Sequence, residues 1–533
     1  MRPYTDPDHD HAPHPAGSVS ANGSAASSDY PRHVTAAAGG STPVRAGLRL
    51  PGLERRTLGP VQVFAQSVSA TAPAAAMATT PAITAGTAGG GVVWSFVAAT
   101  ALALLIGACV GQFTRRMAAA GSLYSLAAKG LGPGAAFACG YALLIGYGLL
   151  VSASLTGCAQ YVLELLARIG LSVPTAAGGA LIVVTLATAV AACTIRGVRL
   201  AARVVLLVEG ISITLMAVVF GLLASGGGVE WPAALNGGPT GVTPGAVAAG
   251  VLPAFAAFIG FESAASLGVE ARRPFHTVPR AVRWTAALAG VMYVGAAAVQ
   301  VAGFAGGGAV GQLAHGSGTL AGQTDPLTVL ATADRLSWVP PLLDAGLAAS
   351  FLACALATAN ALTRVLFSMG TEGVAPRALR RTHGAYRTPH MAVAFALPAV
   401  TVPPVALLAA GVPVRRCLEL LVQTATVGYL VAYLLVCLAV PFFLRGIGEL
   451  TRAAVAGPAL AVPVLAAALI AFTTSTMAAR LALPLAVLLT TGTCWYALLR
   501  LRRPGALAGI GVYDETSLAD VLGGHPDTPR PGR

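Results

Sequence analysis

The chain has 533 residues, 56% of them hydrophobic and only 10% charged, with a formal net charge of +13. A soluble chain carries about 25% charged residues, so the composition excludes an ordinary soluble domain and points to a polytopic membrane protein. The basic excess then reads as arginine in cytoplasmic loops rather than as a nucleic-acid surface.

Residues 1–55 are polar and rich in Pro, Gly, Ser, His and Asp. The run Asp6-Pro7-Asp8-His9-Asp10-His11-Ala12-Pro13-His14 reads either as a weak metal ligand set or, by composition, as part of a disordered cytoplasmic tail. Residues 56–500 form the expected transmembrane domain, and 501–533 a polar cytoplasmic C-terminal tail. The first span, 58–88, is longer than a straight helix needs to cross a core of about 30 Å. It holds Ser67, Ser69, Thr71, Pro73, Thr79, Thr80 and Pro81, which fit a broken helix; a tilted, kinked span is the alternative. A second span covers 92–113, and an amphipathic connector covers 117–132. Further spans are expected at 135–165, 174–194, 204–224, 247–270, 284–304, 341–368, 390–410, 418–443, 458–478 and 481–499, twelve in all.

The basic residues test this count. With the N-terminus inside, only Arg168, Arg335, Arg415, Arg416 and Arg480 of the 33 Lys and Arg fall outside. This bias predicts a multi-pass protein of the cytoplasmic membrane, embedded in the lipid bilayer with both termini cytoplasmic. Cys109, Cys139, Cys158, Cys193, Cys354, Cys417, Cys437 and Cys494 lie almost entirely within spans and form no CxxC pair, so they read as small packing residues.

The sixth span carries the chemistry. Within Phe255-Ala256-Ala257-Phe258-Ile259-Gly260-Phe261-Glu262-Ser263, an acid and a glycine sit in the middle of an apolar run. A carboxylate at that depth is costly and functional by default. Irregular backbone there is tolerated only where it is buried or lines a wet cavity. The alternative is a kinked span with Glu262 hydrogen-bonded to a neighbouring helix. Spans one and six are five apart and therefore run oppositely. Interrupted helices in corresponding places of two inverted halves point to a transporter binding site.

Three stretches carry a resemblance. They are Phe258-Ile259-Gly260-Phe261-Glu262-Ser263 with Glu270, Pro274 and Val278-Pro279-Arg280-Ala281; Gly121-Ser122-Leu123-Tyr124 with Leu131-Gly132-Pro133; and Asn360-Ala361 with Arg364, Met369, Gly373, Pro376 and Thr388-Pro389. In their order and spacing they resemble the amino acid–polyamine–organocation transporter superfamily over residues 55–500. The resemblance implies an all-α fold with a five-plus-five inverted-repeat core, broken helices 1 and 6, and the last two spans outside that core. It implies transport of amino acids or related amines by a secondary active permease, with no cofactor. The family's small-residue triplet on helix one is matched here by Ala74-Ala75-Ala76.

The physical reading assigns the substrate carboxylate to the amides of Ala74, Ala75 and Ala76, and the ammonium to Phe258, Ile259, Gly260 and Phe261. Phe255, Phe258 and Phe261 either cover the substrate or simply pack. Glu262 is a proton-coupling or gating residue. Glu209, a second buried acid on span five, either joins the coupling or hydrogen-bonds across helices. Asp344, at the outer end of span eight, reads as solvated. Only Ser350 and Thr358 offer hydroxyls near a sodium position on span eight, which favours proton symport. Substrate exchange and the transport of a different organocation stay open. A membrane enzyme is disfavoured, because the sequence holds no HExxH, no paired cytoplasmic Asp motif and no His cluster in the spans. A channel would show a repeated pore motif, and a receptor a signalling tail.

Overall fold

The structure is a computed structural model that describes residues 53–511, apart from 172, 226–228, 238–240, 306–319, 322, 324, 334–335, 337 and 475. Residues 6–14, singled out in the sequence, lie outside the described residues. The elements are α1 Pro60–Ser69, α2 Pro73–Ala88, α3 Val92–Thr114, α4 Leu123–Leu131, α5 Pro133–Arg168, α6 Thr175–Arg196, α7 Val198–Ala224, α8 Trp231–Asn236 and α9 Pro244–Ala256. They continue with α10 Pro274–Ala305, α11 Pro326–Ala333, α12 Val339–Glu372, α13 His390–Ala409, α14 Val414–Gly446, α15 Arg452–Thr474, α16 Thr476–Arg502 and α17 Pro504–Ala508. Among the described residues no strand forms, and a single bridge pairs Leu58 with Ala271.

Among the described residues, ten stretches are helical, long and apolar enough to cross a membrane. They differ from the twelve expected spans in two places. Pro60–Thr114 counts as one stretch because a 3-10 turn at Gly89–Gly91 carries α2 directly into α3. The sixth expected span is missing because α9 stops after 13 residues at Ala256. Beyond it the chain runs through turns to a 3-10 segment at Ser263–Leu267.

Proline opens many of these helices: Pro60, Pro73, Pro133 and Pro244 each lie in a first turn. There the missing N–H has no helical partner to lose. The Thr243 hydroxyl caps α9 by accepting the Ala246 N–H at 3.2 Å. Gly132, at φ +82°, makes the sharp corner between α4 and α5 that a side chain would strain.

The core is built around α12, which packs on α5 and α7, while α5 also packs along α14. In its most apolar window α12 is 78% buried, against 11% for Leu481–Arg502 at the end of α16. α12 is therefore an inner element and α16 a peripheral one. Leu181, Val291, Leu483 and Leu501 stand exposed, as lipid-facing side chains do. The cysteines are free thiols, six of them buried, with Cys193 half-buried and Cys494 exposed.

Two expectations need correcting. The segment after residue 500 is not polar throughout: α17 folds back, Leu507 and Ile510 are buried, and the Gly511 N–H donates to Glu372 Oε1 at 2.6 Å. Asp344 is not solvated but buried and paired with Arg168 from the end of α5. A carboxylate taken out of water needs such a partner.

Candidate functional site

The first span breaks at Ala70–Ala72. Ala72 sits in the left-handed region at φ +43°, and Pro73 starts α2. A proline disfavours the helical conformation of the residue before it, so the interruption falls where Pro73 dictates. Pro81, by contrast, stays inside α2. Its missing N–H frees the Met77 carbonyl, and the Gln300 side-chain amide fills that place at 2.7 Å.

The second break spans Ala257–Glu262, with Gly260 at φ +94°. The two breaks meet. A Cβ added to Gly260 would lie 2.6 Å from the Ala70 carbonyl oxygen, too close for any side chain. Glycine is thus required twice over, by its φ and by the approach of the other chain.

Cross-links hold the two breaks in register. The Ser67 hydroxyl donates to the Phe261 carbonyl, and the Ser263 hydroxyl to the Gln66 carbonyl at 3.2 Å. The Gln66 amide reaches α12 at the Ala357 carbonyl, 2.6 Å away. Carbonyls freed by the first break find other partners. Ala70 accepts from Cys354 Sγ at 3.3 Å, and Thr71 from the Tyr293 hydroxyl at 3.4 Å. Buried backbone is thereby satisfied at a depth where no helix bond is available.

Ala74, Ala75 and Ala76 do not form the break itself. They follow it, buried in the first turn of α2, where the Ala76 N–H already bonds the Ala72 carbonyl at 2.9 Å. Ala74 and Ala75 carry the first amides of that helix. Glu209 from α7 is buried against them. Its Oε1 accepts the Ser350 hydroxyl at 3.0 Å, and the Ala74 amide is its next polar neighbour. Its Oε2 has no partner among the described residues.

Phe255, Phe258 and Phe261 are buried, as is Ile259. Phe258 packs edge-on against Tyr293, with ring centroids 5.0 Å apart, and Phe261 lies tilted against Tyr433 at 5.7 Å. Glu262 is fully buried and held by two phenols. Tyr147 of α5 donates to its Oε1 at 2.7 Å, and Tyr433 of α14 donates to its Oε2. The Tyr433 oxygen also accepts the Gly260 N–H at 3.3 Å. Sequence reasoning missed both tyrosines. The available signal was a phenol placed inside an apolar run, since a buried hydroxyl needs a partner.

A third network closes the Glu270 end of the site. Arg364 of α12 grips Glu270 with two nitrogens: Nη2 donates to Oε2 at 2.8 Å and to Oε1 at 3.1 Å, Nε donates to Oε2 at 3.3 Å, and both residues are buried. The Glu270 carbonyl accepts the amides of Thr57 and Leu58, at 2.8 and 3.0 Å, and the Arg272 amide donates back to the Leu58 carbonyl at 3.0 Å. The chain entering α1 is thus stitched to the chain leaving the second break. Among the described residues no three His, Cys, Asp or Glu side chains cluster as a metal site requires.

Known proteins resemble this chain over most of its length. A sequence profile of amino acid permeases matches residues 58–501. The chain belongs to the amino acid permease family. Among its relatives is the branched-chain amino acid permease BcaP of Bacillus subtilis (strain 168), 26% identical over 384 residues, covering 69% of this chain and 76% of the relative. BcaP of Lactococcus lactis subsp. cremoris (strain MG1363) is 25% identical over 376 residues, covering 66% and 74%. The methylthioribose transporter of Bacillus subtilis (strain 168) is 24% identical over 320 residues, covering 57% and 64%. This permease is therefore a multi-pass membrane transporter.

Proposed function

We propose that this permease carries neutral amino acids with apolar side chains across the cytoplasmic membrane by alternating access, coupled to protons. The observation that supports it is the meeting of the two breaks, with the Gly260 backbone against the Ala70 carbonyl. Free amides at the start of α2 suit a carboxylate. Unwound carbonyls suit an ammonium. Ala74, Ala75 and Ala76 on one side and Phe258, Ile259, Gly260 and Phe261 on the other would then flank the substrate. Glu262 is already committed to two phenols, which argues against a second cationic group on the substrate. The two relatives named branched-chain amino acid permeases support the apolar side chain.

In this reading α1 with α2 forms span one, and α9 with the 3-10 segment forms span six, which restores twelve crossings and two inverted halves. The Arg364–Glu270 pair and the Leu58–Ala271 bridge close the cytoplasmic side. Proteoliposomes with an inward pH gradient should accumulate radiolabelled leucine and not putrescine. Accumulation of putrescine alone would sink the reading.

A second reading rests on Glu209. Its carboxylate already faces the Ala74 amide, where a substrate carboxylate would bind. A substrate without a carboxylate fits that arrangement, and one relative is named a methylthioribose transporter. Methylthioribose uptake in the same vesicles, with no leucine uptake, would favour it.

Orientation follows from the basic residues, with the Arg272–Arg283 stretch cytoplasmic. In a cysteine-free background, an impermeant thiol reagent added outside intact cells should label a cysteine at Thr243 and spare one at His276. The reverse pattern would invert the topology.

A further inference from the structure

We propose that Ser122 and Tyr147 relay protons between Glu262 and the arginine-rich face of the protein. The proposal rests on the reading above in which Glu262 carries the coupled proton. It starts from a continuous chain of hydroxyls. Tyr147 donates to Glu262 Oε1 at 2.7 Å, and the Ser122 hydroxyl lies 3.2 Å from the Tyr147 oxygen. Because the phenol hydrogen is turned to Glu262, Ser122 is the donor in the second contact. All three side chains are fully buried.

The backbone of Ser122 supplies an independent observation. It sits at φ +53°, ψ −140°, a conformation that suits glycine and strains any side chain. A glycine there would be comfortable, and Gly121 is its neighbour in sequence. Keeping a serine at such a position gives its hydroxyl a purpose that backbone shape does not explain.

The route continues beyond Ser122. Ser125 and Ser368 are buried, and their hydroxyls have no partner among the described residues. Both side chains stand over Gly121: a Cβ there would meet Ser125 Oγ at 2.4 Å and Ser368 Cβ at 3.3 Å. Orphan buried hydroxyls call for an explanation, and a step in a proton path provides one. Past them the Tyr124 hydroxyl donates to Glu372 at the end of α12, just ahead of Arg377 and Arg380. The titratable groups facing this path are Cys139, Tyr429 and Tyr433 around Glu262 and Tyr147, and Tyr124 with Glu372 beside the two serines.

The transfer conserves protons. As Glu262 gains a hydrogen, the Tyr147 O–H bond breaks; Tyr147 takes the Ser122 hydrogen, and hydronium from the arginine-rich side restores Ser122. Release runs the same steps backwards once the hydroxyls have turned.

The test uses the full chain in proteoliposomes, with radiolabelled leucine as the probe. Ser122→Gly removes the hydroxyl and suits the backbone. It should lower pH-gradient-driven accumulation at least tenfold, change leucine–leucine exchange by less than twofold, and leave the thermal midpoint at or above that of the parent. Tyr147→Phe should likewise lower pH-gradient-driven accumulation at least tenfold. Accumulation within twofold of the parent in folded Ser122→Gly overturns the relay. So does a parallel loss of exchange, accumulation and thermal midpoint, which marks the hydroxyl as structural. Glu262→Gln run beside it separates the two ideas. Loss in Glu262→Gln with normal accumulation in Ser122→Gly sinks the relay alone, whereas normal accumulation in Glu262→Gln sinks the coupling role and the relay with it.

Discussion

Replacing Arg364 with methionine should destabilise the folded protein by about 3–5 kcal/mol. The guanidinium is 2% exposed and meets both oxygens of Glu270, while its other nitrogen donates to the Asn360 carbonyl at 2.8 Å. Removing it strands a carboxylate in a buried site with no other cation bonded to it among the described residues. Glu270 is also the point where the chain before α1 is bonded to the chain after the second break, through the Thr57 and Leu58 amides. Damage at one side chain therefore reaches both broken helices. Replacing Glu270 with leucine in the same protein should recover much of the loss, because removing both members of a buried pair costs far less than removing one. Thermal unfolding in detergent compares the variants. A single mutant as stable as the parent would mean that Glu270 has another partner.

The alternation of basic loops and apolar runs made the helical architecture readable from sequence. The interruption of the first span was readable too, although its position was not. The small triplet Ala74-Ala75-Ala76 drew attention, whereas the break sits just before it at Ala70–Ala72, because proline restrains the residue ahead of it. Pro81, which with Pro73 fitted a broken helix, does not interrupt α2, since Gln300, 223 residues from Met77 in sequence, supplies the lost contact. Glu262 was legible as a buried acid beside a glycine. Its phenol partners were not, because Tyr147 and Tyr433 are 115 and 171 residues distant and no local pattern marks them. The burial of Asp344 was hidden for the same reason, since its arginine comes from another helix. Leu507 and Ile510 escaped notice among glycines and a proline that read as tail.

Replacing Glu262 with glutamine should leave leucine exchange measurable and abolish accumulation driven by a pH gradient. Glutamine keeps the shape of the side chain. Its carbonyl oxygen still accepts one phenol, and its amide can donate to the other phenol oxygen once that hydroxyl turns. The contacts with Tyr147 and Tyr433 can thus persist, and through Tyr433 so can the link to the Gly260 N–H. Only the capacity to take up and give back a proton is lost. If that capacity couples the gradient to the substrate, the parent protein should run faster as the outside is acidified. The mutant should run at one rate across the same range, with its internal leucine never exceeding the external concentration. Initial rates and steady-state accumulation in proteoliposomes, measured across a series of external pH values at fixed internal pH, give both readings. A mutant that still concentrates leucine with the parent's pH dependence would make Glu262 a structural brace between α5, α14 and the second break. The coupling proton would then fall to Glu209, whose Oε2 has no partner among the described residues beside the first turn of α2.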